Sequence, residues 1–196
     1  MKYDITKKAT KGAERTLNAF SSAMFRLLSV KSFEEITVNE ICEHSSYPRA
    51  TFYNYFDDKY DLLNYCWQCL YNQIHLEEYI DLDPEKRLYI FFDRAYEFLT
   101  VHQDIFKRIL KFNSYESFLV SHFRIQLGAK MREVFNLDDC KDNYAIPCEI
   151  VAEHYCNTIL LILEWHFLKE NICTKVQAHE YLEYLLSSLN KKAFPK

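Results

Sequence analysis

The sequence predicts an all-α protein, with an amino-terminal three-helix domain over residues 1–60 and a larger helical domain over 61–196. Three observations lead there. Only two glycines, Gly12 and Gly128, and four prolines occur in 196 residues, whereas strands joined by tight turns draw heavily on both. Apolar residues recur three and four apart in one segment after another, the period of a helix face. Several segments also open with side chains suited to helix caps, as at Thr37 with Glu40 and Thr174 with Gln177. The chain is 49% hydrophobic, with 15 Phe and 15 Tyr, ample apolar surface to offset the entropy of ordering a chain.

Leu17, Phe20, Met24, Leu27 and Leu28 share one face and predict a first helix over 11–29. Lys31-Ser32-Phe33 interrupts it. Thr37 then caps a second helix to about residue 44, burying Val38 and Ile41. Ser45-Ser46-Tyr47 forms a polar break, and Pro48 suits the first turn of a short third helix ending near Tyr55, because its missing N–H is not needed there. Asp57 or Asp58 caps a fourth helix that carries Leu62, Leu63, Cys66 and Leu70 to about Glu78. Asp83-Pro84 opens a fifth to about His102, a short one covers 104–111, and Ser114 caps another to about Phe135. The polar stretch 136–145 reads as a loop. Pro147 starts a helix to about Glu170, apolar nearly all round, and Thr174 caps the last to about Asn190. The total is about nine helices.

These features exclude several classes of function. Nucleotide-binding enzymes of the Rossmann or P-loop kind need glycine-rich phosphate loops, which this sequence lacks, and it shows no acid/base or nucleophilic set. The expectation is that it is not an enzyme. The longest apolar run, Thr158 to Leu163, is far too short to span a membrane, and no secretory signal opens the chain, so the expected compartment is cytoplasmic. Cys66 and Cys69 have redox CxxC spacing but sit mid-helix without a βαβ unit, so buried free thiols are expected among the seven cysteines. Cys148 and Cys156 share a helix face too far apart to hold one ion, with His154 well off it, so neither a metal nor a cofactor is expected. Net charge is −4, yet residues 1–31 hold seven Lys or Arg against Asp4 and Glu14, or +5, leaving −9 elsewhere. One end of the chain is thus suited to a polyanion.

Two short helices joined by a few residues, with a third packed across them, make a helix-turn-helix. Its second helix must be short and exposed to enter a major groove, and anchored from behind by apolar side chains. Phe52 and Phe56 can anchor it, which leaves Arg49, Ala50, Thr51, Tyr53 and Asn54 to face DNA. Tyr53 and Tyr55 stand two apart on a helix, so at least one is exposed. Arg49 can bridge guanine O6 and N7 or bind a phosphate. Thr37 caps its helix whether or not it touches DNA, and Lys59 taken alone reads as a surface lysine.

Residues 37–63 resemble the DNA-binding domain of the TetR/AcrR family of transcriptional regulators. The resemblance is carried by Thr37-Val38, Ile41, Thr51-Phe52-Tyr53, Tyr55-Phe56, Lys59 and Leu62-Leu63, and extends back through Phe33, Phe25 and Ala19 to about residue 10. It implies that Tyr53 and Tyr55 reach backbone phosphates, that Lys59 binds a phosphate, and that Thr37 offers its hydroxyl and the helix N-terminus to another. Two departures stand out. Ser46 occupies a turn position where glycine is common, and Pro48 replaces a serine-type cap.

The resemblance further implies a carboxy-terminal domain for effector binding and dimerisation. The helix from Pro147 carries Ile150, Val151, Tyr155, Ile159 through Leu163, Trp165, Phe167 and Leu168, so it must be covered on both sides. With Leu182, Leu185, Leu186 and Leu189 of the last helix it suits a four-helix homodimer interface, and a twofold dimer suits a palindromic double-stranded operator. Phe91, Phe92, Tyr96, Phe98, Phe118 and Phe123 crowd the middle helices, but no polar set among them defines a ligand. The expected protein is a repressor released by an unknown small-molecule effector. The alternative is a co-regulator of the same fold that acts through a partner protein.

Overall fold

The computed structural model describes residues 10–73, 84–135, 146–169 and 171–187. Among these residues there are nine α-helices and no strand: α1 (Lys11–Leu28), α2 (Val38–Ser45), α3 (Arg49–Tyr55), α4 (Lys59–Gln73), α5 (Pro84–Val101), α6 (Gln103–Phe112), α7 (Phe118–Phe135), α8 (Cys148–Leu163) and α9 (Lys175–Leu186). The expected ends of the fourth helix at Glu78 and the last at Asn190, the cap at Asp83 and the loop 136–145 all lie outside the described residues. None of the described helices is long and apolar enough to cross a membrane.

The chain forms two compact units. The first comprises residues up to Gln73 together with Asp104–Ser121; the second comprises Ile74–Gln103 and everything from His122 onward. The first unit therefore runs past residue 60, because α4 lays Leu62, Leu63 and Cys66, all fully buried, into the core it shares with α1. α1 supplies Leu17, Phe20, Ala23, Met24, Leu27 and Leu28 to that core, the face its periodicity predicts. Thr10 caps its start, accepting from the Ala13 N–H at 3.3 Å.

In the second unit α5, α8 and α9 pack on one another. α5 buries Leu88, Phe91 and Phe92; α8 buries Val151, Tyr155 and Ile159; α9 buries Ala178, Leu182 and Leu186. α9 opens with a full capping box: Thr174 accepts from the Gln177 N–H, and Gln177 accepts from the Thr174 N–H.

Two boundaries differ from expectation. Ser114 does not cap α7. It begins a turn in which its carbonyl accepts from the Ser117 N–H, and Ser117 then caps the helix, its hydroxyl accepting from the Val120 N–H at 3.4 Å. The helix expected to run to Glu170 remains α-helical only to Leu163. It widens into a π-helical turn over Glu164–Leu168, closed by the Lys169 N–H on the Glu164 carbonyl, five residues back.

Candidate nucleic-acid interface

The helix-turn-helix is assembled from behind. Phe52 and Phe56 are both fully buried, their rings meeting Phe20 of α1 edge-on with centroids 5.4 and 6.2 Å away. Burial of each ring is worth roughly 1.5–3 kcal/mol, enough to hold a helix of 7 residues that would be unstable alone. Pro48 proves to be the residue before the helix rather than its first: its carbonyl accepts from the Thr51 and Phe52 N–H groups.

The turn between α2 and α3 closes as a Schellman motif, with the Tyr47 N–H on the Cys42 carbonyl and the Ser46 N–H on that of Glu43. Ser46 carries the left-handed geometry at φ 61°, ψ 29°, and among the described residues it is the non-glycine with positive φ. The sequence placed this demand correctly, since the position is one where glycine fits without strain. Arg26 of α1 adds a tie that no local pattern announces, donating to the His44 carbonyl at 2.7 Å near the end of α2.

With its inner residues anchored, α3 turns Arg49, Ala50, Tyr53 and Asn54 outward, while Thr51 and Tyr55 are half-buried. Tyr53 is 37% exposed. Arg49 donates from Nη2 to the Tyr53 hydroxyl at 3.2 Å, and its guanidinium lies 5.7 Å from that ring's centroid. The contact spans one helical turn (i, i+4) and uses one of five guanidinium N–H groups. It holds the long side chain on the exposed face with most of its donors unspent.

Thr37 is exposed at the N-terminus of α2, yet its polar atoms are committed. Its hydroxyl accepts from the Glu40 N–H at 3.3 Å and donates to Glu40 Oε2 at 2.8 Å, while its own N–H donates to the same oxygen at 2.9 Å. Lys31 bonds the other Glu40 oxygen. The Lys31 ammonium, then the Thr37 donors, hold the Glu40 carboxyl down at about 2. The positive end of α2 therefore already holds an anion, and a phosphate arriving there meets a resident carboxylate.

Lys59 is occupied more fully. Its ammonium donates to the carbonyls of Phe33, Glu34 and Ile36 at 2.9, 2.8 and 2.9 Å, which accounts for all three of its protons. The same nitrogen lies 4.8 Å from the centroid of the Phe33 ring. Partial burial lowers its pKa. The resemblance assigns this lysine to a phosphate; in the structure it binds the turn between α1 and α2. Asp58 caps α4, accepting from the N–H groups of Tyr60 at 2.8 Å and Asp61 at 2.9 Å. Of the basic amino-terminal residues, Lys2, Lys7 and Lys8 lie outside the described residues.

Residues 22–66 match the family described as bacterial regulatory proteins, tetR family. The matched segment runs from α1 into α4 and contains the whole helix-turn-helix. Residues 22–66 are thus a TetR-type DNA-binding domain. The family so matched is one of DNA-binding transcriptional regulators and is not enzymatic. No curated protein matches the chain in sequence. Three solved structures share the fold. A TetR-family transcriptional regulator from Syntrophomonas wolfei aligns with TM-score 0.60 and 20% identity, over 90% of this chain and 93% of its own. A Clostridium perfringens protein described as a fatty acid metabolism regulator aligns with TM-score 0.58 and 15% identity, over 89% and 100%. The dihydroxyacetone kinase operon activator DhaS aligns with TM-score 0.56 and 16% identity, over 89% and 96%.

Away from the TetR-type domain, the second unit leaves an apolar face uncovered. On α8, Ile150 and Leu161 are each more than half exposed. Leu161 and Trp165 join Tyr181, Tyr184 and Leu185 of α9 around a groove of about 390 Å³. The thiols are quiet: burial pushes Cys66 up to about 12 and Cys156 up to about 11, so neither carries much thiolate near neutral pH.

Proposed function

We propose that this regulator binds a palindromic operator in double-stranded DNA as a homodimer and acts as a repressor released by a small-molecule effector. The observation that carries the reading is the two-sided character of α3, with Phe52 sealed into the core and Arg49, Ala50, Tyr53 and Asn54 turned outward. In this reading Arg49 bridges guanine O6 and N7. Tyr53, Tyr55, Thr51 and Asn54 reach phosphates or neighbouring base edges, and Thr37 contributes a phosphate contact at the head of α2 once the phosphate displaces the Glu40 carboxylate from it. Lys59 contributes indirectly, by holding the turn between α1 and α2.

The dimer rests on the apolar face of α8 and α9. Leu161, Trp165, Tyr184 and Leu185 form a contiguous surface of the kind that self-association covers. Twofold pairing there would give two recognition helices, and paired half-sites turn two modest contacts into one tight one.

Selection of bound duplexes from a random DNA pool by the purified chain tests the proposal. Recovery of one palindromic site is expected, and its release then serves to screen effectors. Recovery of nothing above background would favour the co-regulator that works through a partner protein. The committed polar groups of Thr37 and Lys59 are the observations on that side.

A further inference from the structure

Asn113 directly follows α6 and is wholly buried. Its side-chain oxygen accepts from the Phe33 backbone N–H at 2.8 Å. Its amide nitrogen faces three carbonyls: Ile109 at 3.0 Å, and Leu28 and Lys31 each at 3.4 Å. Leu28 ends α1, so its carbonyl is among those a helix leaves without partners of its own, and Lys31 follows in the turn. A single side chain thus meets both donor and acceptor needs of the buried side of the turn between α1 and α2.

Lys59 grips the same turn from α4, through the carbonyls of Phe33, Glu34 and Ile36. Between the two grips the Phe33 ring is fully buried, stacked on Phe118 at 5.6 Å and edge-on to Tyr60 at 5.2 Å. The turn leads straight into Thr37 and α2. Its orientation therefore sets where α2, and α3 behind it, begin. Asn113 lies 80 residues from Phe33 in sequence, in the segment 104–121 that the chain sends into the first unit.

We propose that Asn113 is a positioning residue for DNA binding: it fixes the turn between α1 and α2 and so sets the presentation of the helix-turn-helix. The proposal rests on the operator-binding reading for its effect on DNA, but its effect on the turn can be measured separately. Amide hydrogen exchange on the full chain compares wild type with Asn113→Ala and Asn113→Ser. Faster exchange at Phe33 and across residues 29–46 is expected, with α1 and α4 retaining protection. Uniform loss of protection through the first unit, or failure of both variants to fold, would assign Asn113 to overall stability and overturn the proposal.

The second arm measures affinity for the duplex that the wild type selects. Asn113→Ala is expected to lose about tenfold. Combined with Lys59→Met, the loss falls short of the product of the two single losses, because both act on one turn; combined with Arg49→Ala, the losses multiply. Multiplication with Lys59→Met would overturn the proposal. If the wild type selects no duplex, the operator-binding reading fails by itself, and hydrogen exchange still decides whether Asn113 holds the turn.

Discussion

Replacing Lys59 by methionine keeps most of the side chain's length and apolar stem while removing its charge and three donors. Two of the three hydrogen bonds, to Phe33 and Ile36, are partly buried, and the one to Glu34 is exposed. A net worth of about 1 kcal/mol for each partly buried bond, and about half that for the exposed one, gives roughly 2.5 kcal/mol. Loss of the ammonium over the Phe33 ring adds about 0.5 kcal/mol. The total of about 3 kcal/mol corresponds to a fall in melting temperature of roughly 6–12 °C for a chain of this size. Urea denaturation would show a lower midpoint at an unchanged slope. The decisive companion assay is DNA binding across a salt series. A direct phosphate contact would contribute about 0.9 to the slope of log affinity against log salt for each protomer, whereas a lysine spent on carbonyls contributes little. An unchanged urea midpoint with a flattened salt slope would refute this account and return Lys59 to the phosphate backbone.

Four further outcomes are expected. Ser46→Gly should raise stability by about 0.5 kcal/mol in urea melts, the left-handed strain removed exceeding the unfolded-chain entropy gained, while Ser46→Val should lower it. Because the Glu40 carboxyl is held at about 2 against an ordinary 4.5, the stability it contributes is complete above pH 4.5 and is lost as pH falls towards 2; Glu40→Gln should remove that part of the acid sensitivity in pH-dependent melts. Arg49→Ala should relax base preference at one operator position by about 1–3 kcal/mol, read by competition between duplexes. Leu161→Glu, placing a charge in the groove between α8 and α9, should shift sedimentation from dimer to monomer with each chain still folded.

How far the site could be read in advance varied residue by residue. The cap at Thr37 with Glu40, the left-handed Ser46 and the inward Phe52 all follow from short-range rules of spacing and stereochemistry, so the sequence displays them. The ion pair of Lys31 with Glu40 and the bond from Arg26 to the His44 carbonyl connect residues 9 and 18 apart, and neither belongs to a local pattern. Asn113 carried no functional signal at all. An asparagine after an amphipathic helix reads as a C-terminal cap, and only the return of α6 to the first unit gives it a second purpose.

The sequence by itself determined which segments are helical, where their apolar faces lie, and that the second and third helices form a helix-turn-helix, because a helix period, a cap and a turn are properties of neighbours along the chain. Only the tertiary structure decided what the polar groups around that motif do. Lys59 reads identically whether it meets a phosphate or three carbonyls, and Asn113 whether it meets water or the Phe33 N–H. A hydrogen bond forms with whatever the fold brings within about 3 Å, and that proximity is set by the packing of helices far apart in the chain.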